Sequence, residues 1–318
     1  MNLDECLPPE LRGPETTIAP IAMGFSGAAV YRVDAAGRSF VLKLARTDET
    51  DVDWRRALQV QRSAAAAGLT PAIVHVEESR RAVLTAFVVD RVFPRRYLDP
   101  RTHTTAVGEL GSTVRRIHAL PIPADASPRD PRALIVHLWS ELRSNFAIPE
   151  FGAEAIDGAI AAAPPAASGA LVLGHNDLNP SNLLYDGESL LVLDWSTAGP
   201  ADPFVDLATL AVFLRMDDPT CLRLLAAYTG EPPRDSLPDR FVYTRRLVAA
   251  LVGAMMLHLA RRRGHAAAAA DETLATTLSL GAFYQEMRAG NVNPATPDGQ
   301  WAFGKALLKA SRRYGGSV

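Results

Sequence analysis

Asp177, Asn182 and Asp194 are the side chains whose types and spacing can do chemistry. The first two lie in Gly174-His175-Asn176-Asp177-Leu178-Asn179-Pro180-Ser181-Asn182, and the third ends the run Leu190-Leu191-Val192-Leu193-Asp194. Residues 183–185 and 190–193 are short apolar runs separated by Asp186-Gly187-Glu188-Ser189, and Asp-Gly between apolar runs signals a hairpin. With the reversal centred on Gly187-Glu188, Asn182 and Asp194 face each other or miss by one residue, about 5 Å apart by cross-strand geometry. Two hard oxygen donors then converge at the open end of the hairpin. They are too few to enclose a metal, but they suit Mg²⁺, which keeps several waters and takes its remaining oxygens from phosphates. Asp177 precedes the strand, where a carboxylate can reach a substrate hydroxyl.

The elements that must hold these groups follow from the rest of the chain. Residues 16–90 read as a small sheet-rich lobe. Ala28 to Asp34 and Ser39 to Leu44 are partly alternating, β-branched runs joined by Ala35-Ala36-Gly37-Arg38, a hairpin turn. Before them stands Met23-Gly24-Phe25-Ser26-Gly27-Ala28. Its glycines allow close approach of a ligand and offer N–H groups to phosphate oxygens, although Gly-Phe-Ser-Gly is also an ordinary turn. Lys43 interrupts an otherwise apolar strand. A helix is expected from Asp51 to Ala67, ended by Gly68 with Pro71 beyond it, and Ala72 to Val76 and Ala82 to Val89 close the sheet. From residue 91 the pattern turns helical, with an apolar stripe along Arg101 to Leu120 on which His118 reads as a core residue. Asp202-Pro203 then reads as an N-cap and first helical position, with Asp206 in the first turn.

Composition excludes several classes. The chain has 318 residues, 48% of them hydrophobic, and a net charge of −2, so it can bury a sizeable core and carries no basic nucleic-acid footprint. Its two cysteines, Cys6 and Cys221, form no ligand pattern and fit a reducing compartment, so a cytoplasmic location is expected. The acidic start lacks an apolar core, so no secretory signal is expected. The longest apolar run, Leu247 to Ala260, has 14 residues and reads as a buried helix with no membrane partner.

The order H-x-D-x-x-x-x-N followed by a strand ending in Asp resembles the catalytic and metal loops of the kinase-like phosphotransferases, and the wording HNDLNPSNLL…LDW is closest to choline kinases, thiamine kinases and aminoglycoside phosphotransferases. The resemblance implies an α+β, protein-kinase-like fold of two lobes, a small antiparallel-sheet lobe over 1–90 and a larger helical lobe over 91–318. It implies ATP and Mg²⁺ as co-substrate and metal, with transfer of the γ-phosphoryl group to a hydroxyl of a small molecule. By the same resemblance Asp177 is the catalytic carboxylate, Asn182 and Asp194 are the metal ligands, and Gly24, Ser26 and Gly27 form the nucleotide loop. Lys43 is the phosphate-binding lysine, the backbone at Ala86 and Val88 meets the adenine edge, and Asp206 helps to hold the catalytic loop.

There is one departure: where the family has a glutamate that pairs with the strand lysine, the matched position is Gln59, and Glu49, Asp51 and Asp53 are the acids that can substitute. A protein kinase is disfavoured, because Asn176 replaces the arginine that would receive an activating phosphate and no A-P-E follows. A nucleotide-binding module without turnover is the alternative of a different class. Residues from 91 on carry as many acidic as basic side chains, which favours a small amino-alcohol or thiamine-like acceptor over a polycationic antibiotic. Trp301, Tyr243, Tyr284, Asp217 and Asp218 are the side chains that such an acceptor can meet.

Overall fold

The computed structural model describes residues 2–21, 28–166, 169–266 and 272–314. Contacts divide the chain into two compact units whose limits differ from 1–90 and 91–318: one comprises Met1–Ser127, Val172–Pro200 and Ala227–Gly230, and the other the remainder. The hairpin that carries Asp194 belongs to the first unit because it is bonded into it. Val192 donates to the Leu69 carbonyl at 2.7 Å and Arg91 to that of Tyr185 at 2.8 Å.

The first unit is built on a five-stranded antiparallel sheet in the order β1-β2-β3-β5-β4, with β1 Thr17–Pro20, β2 Val30–Ala35, β3 Arg38–Leu44, β4 Ile73–Glu77 and β5 Ala82–Ala86. Ala35 pairs with Arg38, which leaves Ala36 and Gly37 as a two-residue loop. Both have positive φ, 51° and 69°, as a turn matched to the right-handed strand twist requires. Alternation along β3 sends Phe40, Leu42 and Leu44 into a core with Leu7, Leu11, Val33 and Leu84. Lys43 is therefore turned to the opposite face. That face is covered by α1, Asp51–Ala66, which packs Trp54 and Leu58 on Val83. Thr50 caps α1 by accepting from Asp53 N–H, a contribution of about 1 kcal/mol. Gly68, at φ 64°, ends it with Leu69 N–H reaching back to the Ala64 carbonyl.

Beyond the sheet come α2 Phe93–Leu98 and α3 His103–His118, then β6 Val172–Gly174 and the hairpin of β7 Leu183–Tyr185 with β8 Leu190–Val192. His118 is half-buried and its Nδ1 meets the Tyr228 hydroxyl at 3.0 Å.

The second unit is helical: α4 Pro131–Asn145, α5 Glu150–Ala161, α6 Phe204–Phe213, most of α7 Asp218–Thr229, α8 Asp239–Arg262, α9 Leu280–Arg288 and α10 Pro297–Ser311. α8 is its axis, packed by α4, α5, α6 and α10. With 24 residues it is longer than its 14-residue apolar run and passes, by length and composition alone, a test for membrane-crossing helices that core helices also pass. Its Leu247, Ala250, Ala254 and Leu257 nevertheless lie in the core with Trp139, Phe151, Trp301 and Leu308. Gly253 and Gly304 let α8 and α10 meet backbone to backbone: a Cβ on Gly304 would stand 2.8 Å from the Gly253 carbonyl oxygen.

Candidate functional site

The chain enters the site at Asn176, a non-glycine residue at φ 63°. Its Nδ2 donates to the carbonyls of Thr197 at 3.1 Å and Gly199 at 3.3 Å, contacts that hold this rare backbone conformation in place. His175 before it is fully buried. Its Nε2 donates to the Leu193 carbonyl at 3.0 Å, and the ring stands edge-on to Trp195 with centroids 4.9 Å apart. The histidine ties the stretch that carries Asp177 to the strand that ends in Asp194.

Asp177 is gripped at both carboxylate oxygens. Asn179 Nδ2 donates to Oδ1 and Asn182 Nδ2 to Oδ2, each at 2.9 Å, and Asn182 Nδ2 also reaches the Asp177 carbonyl at 2.9 Å. Asn179 is itself anchored as the cap of the turn Pro180–Asn182, accepting from Ser181 N–H at 2.9 Å. Burial pushes the Asp177 carboxyl above its ordinary 3.8, and the hydrogen bonds from Asn179 and Asn182 offset only part of that rise.

The hairpin register pairs Leu183 with Val192 and Tyr185 with Leu190, so the reversal centres on Gly187-Glu188. Asp186 Oδ1 closes it by accepting from Glu188 and Ser189 N–H. The Asn182 carbonyl accepts from Leu193 N–H at 2.8 Å, which places Asp194 one residue beyond the partner of Asn182, as the spacing predicts. Asp194 has a left-handed backbone, φ 60°, and its Oδ1 accepts from Lys43 Nζ at 2.7 Å and Ser196 Oγ at 2.8 Å. Burial pushes this carboxyl up, but the Lys43 charge and hydrogen bond, with Ser196, outweigh it and the net displacement is downward.

These residues fit a Mg²⁺ ion. Asn182 commits its nitrogen to Asp177 and so presents Oδ1, while Asp194 Oδ2 has no partner among the described residues. Two hard oxygens suit that ion, which takes its remaining ligands from water and phosphate. Among the described residues there is no group of three or more His, Cys, Asp or Glu that could hold a metal alone.

Other expected site residues fare differently. Gly24, Ser26 and Gly27 lie outside the described residues. Ala86 already donates its N–H to the Ala72 carbonyl at 2.9 Å, and Phe87 to that of Ser39 at 3.2 Å, so neither N–H is open to a base edge. Gln59 requires a correction: it lies on the exposed face of α1. A cavity of about 60 Å³ beside Lys43 is lined instead by Trp54, Ala57, Leu58, Gln61, Glu49 and Asp194, among others. The helical phase explains this, since 54, 57, 58 and 61 share one side of a 3.6-residue repeat and 59 does not. Trp54 and Leu58 carried that phase in the sequence. Asn179 and Ser196, which orient the two aspartates, had no signal beyond their places in turns.

The acceptor candidates are occupied elsewhere. Trp301 is buried and donates to Glu272 at 2.9 Å. Burial pushes the Tyr284 hydroxyl up to about 12, and Tyr243 packs on the core. Asp217 caps Thr220 N–H at 2.9 Å and Asp218 pairs with Arg245 at 3.2 Å.

A kinase-like sheet with an Asp-Asn-Asp constellation on a short hairpin defines a class of phosphoryl-transferring enzymes. The chain belongs to the phosphotransferase enzyme family, whose profile matches residues 17–243. Compared by sequence with curated proteins, it matches none. Among solved structures it is similar to a choline/ethanolamine kinase family protein from Mesorhizobium loti, 20% identical over 96% of this chain and 94% of that one, TM-score 0.62. It is similar also to choline kinase from Cryptosporidium parvum, 12% identical over 98% and 93%, TM-score 0.63. A third is a spectinomycin phosphotransferase in complex with ADP and spectinomycin, 13% identical over 94% and 93%, TM-score 0.57. At these identities the likeness establishes the fold, α+β and kinase-like, and family membership makes the chain a small-molecule phosphotransferase.

Proposed function

We propose that the protein transfers the γ-phosphoryl group of ATP, with Mg²⁺, to a hydroxyl of a small metabolite or antibiotic. The observation that carries this reading is the Asp177 carboxylate, held at both oxygens by Asn179 and Asn182 on the same turn that presents Asn182 Oδ1 toward the metal position. Asp177 orients the acceptor hydroxyl and accepts its proton as the bond from that oxygen to the γ-phosphorus forms and the bond to the β,γ-bridging oxygen breaks, releasing ADP. Lys43 and the Gly24 to Gly27 loop hold phosphate oxygens, and the Ala86 carbonyl and Val88 backbone meet the base. Asn182 and Asp194 hold Mg²⁺, which when bound neutralises phosphate charge.

The acceptor class we favour is an amino-alcohol or thiamine-like molecule, in line with the balanced charge of residues 91 onward and with the choline kinases among the similar structures. The reaction is assigned to the cytoplasm, with no nucleic-acid or membrane partner. A turnover screen of Mg-ATP with amino-alcohols, thiamine, sugars and aminoglycosides, run beside a nucleotide-induced thermal shift, is the test. Phosphorylated product from one acceptor supports the proposal; stabilisation by nucleotide without turnover on any acceptor favours a nucleotide-binding module instead.

A further inference from the structure

Lys43 and Asp194 are bonded to each other at 2.7 Å, yet the proposed reaction asks both for other work: Lys43 for phosphate oxygens, Asp194 for a metal ligand. As those contacts form, Lys43 loses the anion that now fixes its direction. A partly buried ammonium without a counter-charge on its protein side is costly and poorly aimed. α1 supplies no replacement, because the residues it turns into the cavity beside Lys43 are Trp54, Ala57, Leu58 and Gln61.

Glu49 also lines this cavity. It is half-buried, and its carboxylate makes no ion pair or side-chain hydrogen bond among the described residues. Its main chain is fixed on both sides: Glu49 N–H donates to the Arg46 carbonyl at 3.3 Å, and the Arg81 guanidinium donates to the Glu49 carbonyl. Thr50 then starts α1 directly after it. The competing cation is Arg46, which feels the charges of Glu49 and Asp194, but its guanidinium is hydrogen-bonded to Asp48, Nε to Oδ1 at 2.8 Å.

We infer that Glu49 is the positioning residue of Lys43, its carboxylate receiving the ammonium across the cavity when Asp194 is engaged elsewhere. This rests on the phosphotransferase reading of Lys43. Gln61 shares the cavity but is neutral, so it can hydrogen-bond the lysine without balancing its charge.

Calorimetric titration of metal-free ATP and of Mg-ATP into wild type, Glu49→Gln and the double variant Glu49→Gln/Gln61→Glu reads this without turnover. Glu49→Gln is expected to weaken nucleotide binding by about tenfold, the scale of one charge-assisted contact. Gln61→Glu added to it restores most of that loss, because an acid returns to the same cavity from a different element. Glu15→Gln, an exposed acid outside the cavity, controls for net charge and stays within about twofold. In steady state, Glu49→Gln raises KM for ATP by a larger factor than it lowers kcat.

Wild-type affinity in Glu49→Gln, or no recovery in the double variant, overturns the assignment; the second outcome is what a merely structural loss would give. If Glu49→Gln fails to fold, Glu49→Asp, which keeps the charge but shortens its reach, must bind nucleotide more weakly than wild type for the assignment to stand. A wild-type protein that binds no nucleotide overturns the phosphotransferase reading itself and Glu49 with it, whereas wild-type binding with an unaffected Glu49→Gln overturns Glu49 alone.

Discussion

The turns that carry Asp177 and Asp194 both half-bury a carboxylate, and their surroundings displace the two groups in opposite directions. Asp177 is hydrogen-bonded by the neutral amides of Asn179 and Asn182, and burial prevails over these and the neighbouring His175; Asp194 is bonded to an ammonium, and the charge prevails. Such a separation is how one site assigns two carboxylates to different tasks. The raised group is the better proton acceptor from an alcohol, and the lowered one stays ionised for a cation. The difference is set by one remote partner, Lys43 of β3, which reaches Asp194 while Asp177 is held by amides of its own turn.

The most direct way to break this pairing is Asp177→Asn, which keeps the shape and removes the proposed proton acceptor. It should lower kcat on an identified acceptor by about 10²- to 10⁴-fold with little change in ATP affinity, and wild-type kcat would remove Asp177 from the mechanism. Asp194→Asn comes next. Removing the charged oxygen should raise KM for Mg-ATP by at least about tenfold, and raised Mg²⁺ should recover part of the loss; Mg²⁺-independent loss would argue against a ligand role.

Asn179→Ala sharpens the contrast more gently. Losing a hydrogen bond to the ionised form moves the Asp177 carboxyl further up, so the acid limb of the kcat profile should shift to higher pH while the maximum falls several-fold, as one neutral hydrogen bond allows. The two aspartates also carry opposite signs in stability. The folded pKa of Asp177 is raised, so its contribution is present below the ordinary value of 3.8 and is lost as pH rises through the folded pKa. That of Asp194 is depressed, so its contribution is present above 3.8 and is lost as pH falls through the folded pKa. Melting curves across the acid range for the two Asn variants should therefore diverge from wild type on opposite sides.

The smallest effect is expected of Gln59→Glu, which changes an exposed position and should leave both KM for ATP and stability, within about 0.5 kcal/mol, as they were. A marked change in KM would return residue 59 to the lysine.

The hairpin was legible in full because Asp186-Gly187 and two apolar runs determine a register, and a register determines which side chains meet. Lys43 was legible for the same reason, since alternation along β3 fixes its face. Position within a motif points to Gln59, whereas the helical phase set by Trp54 and Leu58 leads to Gln61. The contiguous lobe boundary at residue 90 differs from the contact division because long-range bonds, Val192 to Leu69 and Lys43 to Asp194, join segments that local pattern treats as separate. Asn179 and Ser196 were silent in the sequence, since a turn residue that caps its own turn looks the same as one that orients a functional neighbour.

The glycine contact between α8 and α10 has a consequence for the order of synthesis. α8 ends at Arg262 and α10 begins only at Pro297, so the ribosome releases a long apolar helix before the partner that covers its glycine face exists. During that interval α8 presents the surface that chaperones and membranes recognise, and the chain is most exposed to wrong association. Docking of α10 on α8 covers that glycine face, where the two backbones meet.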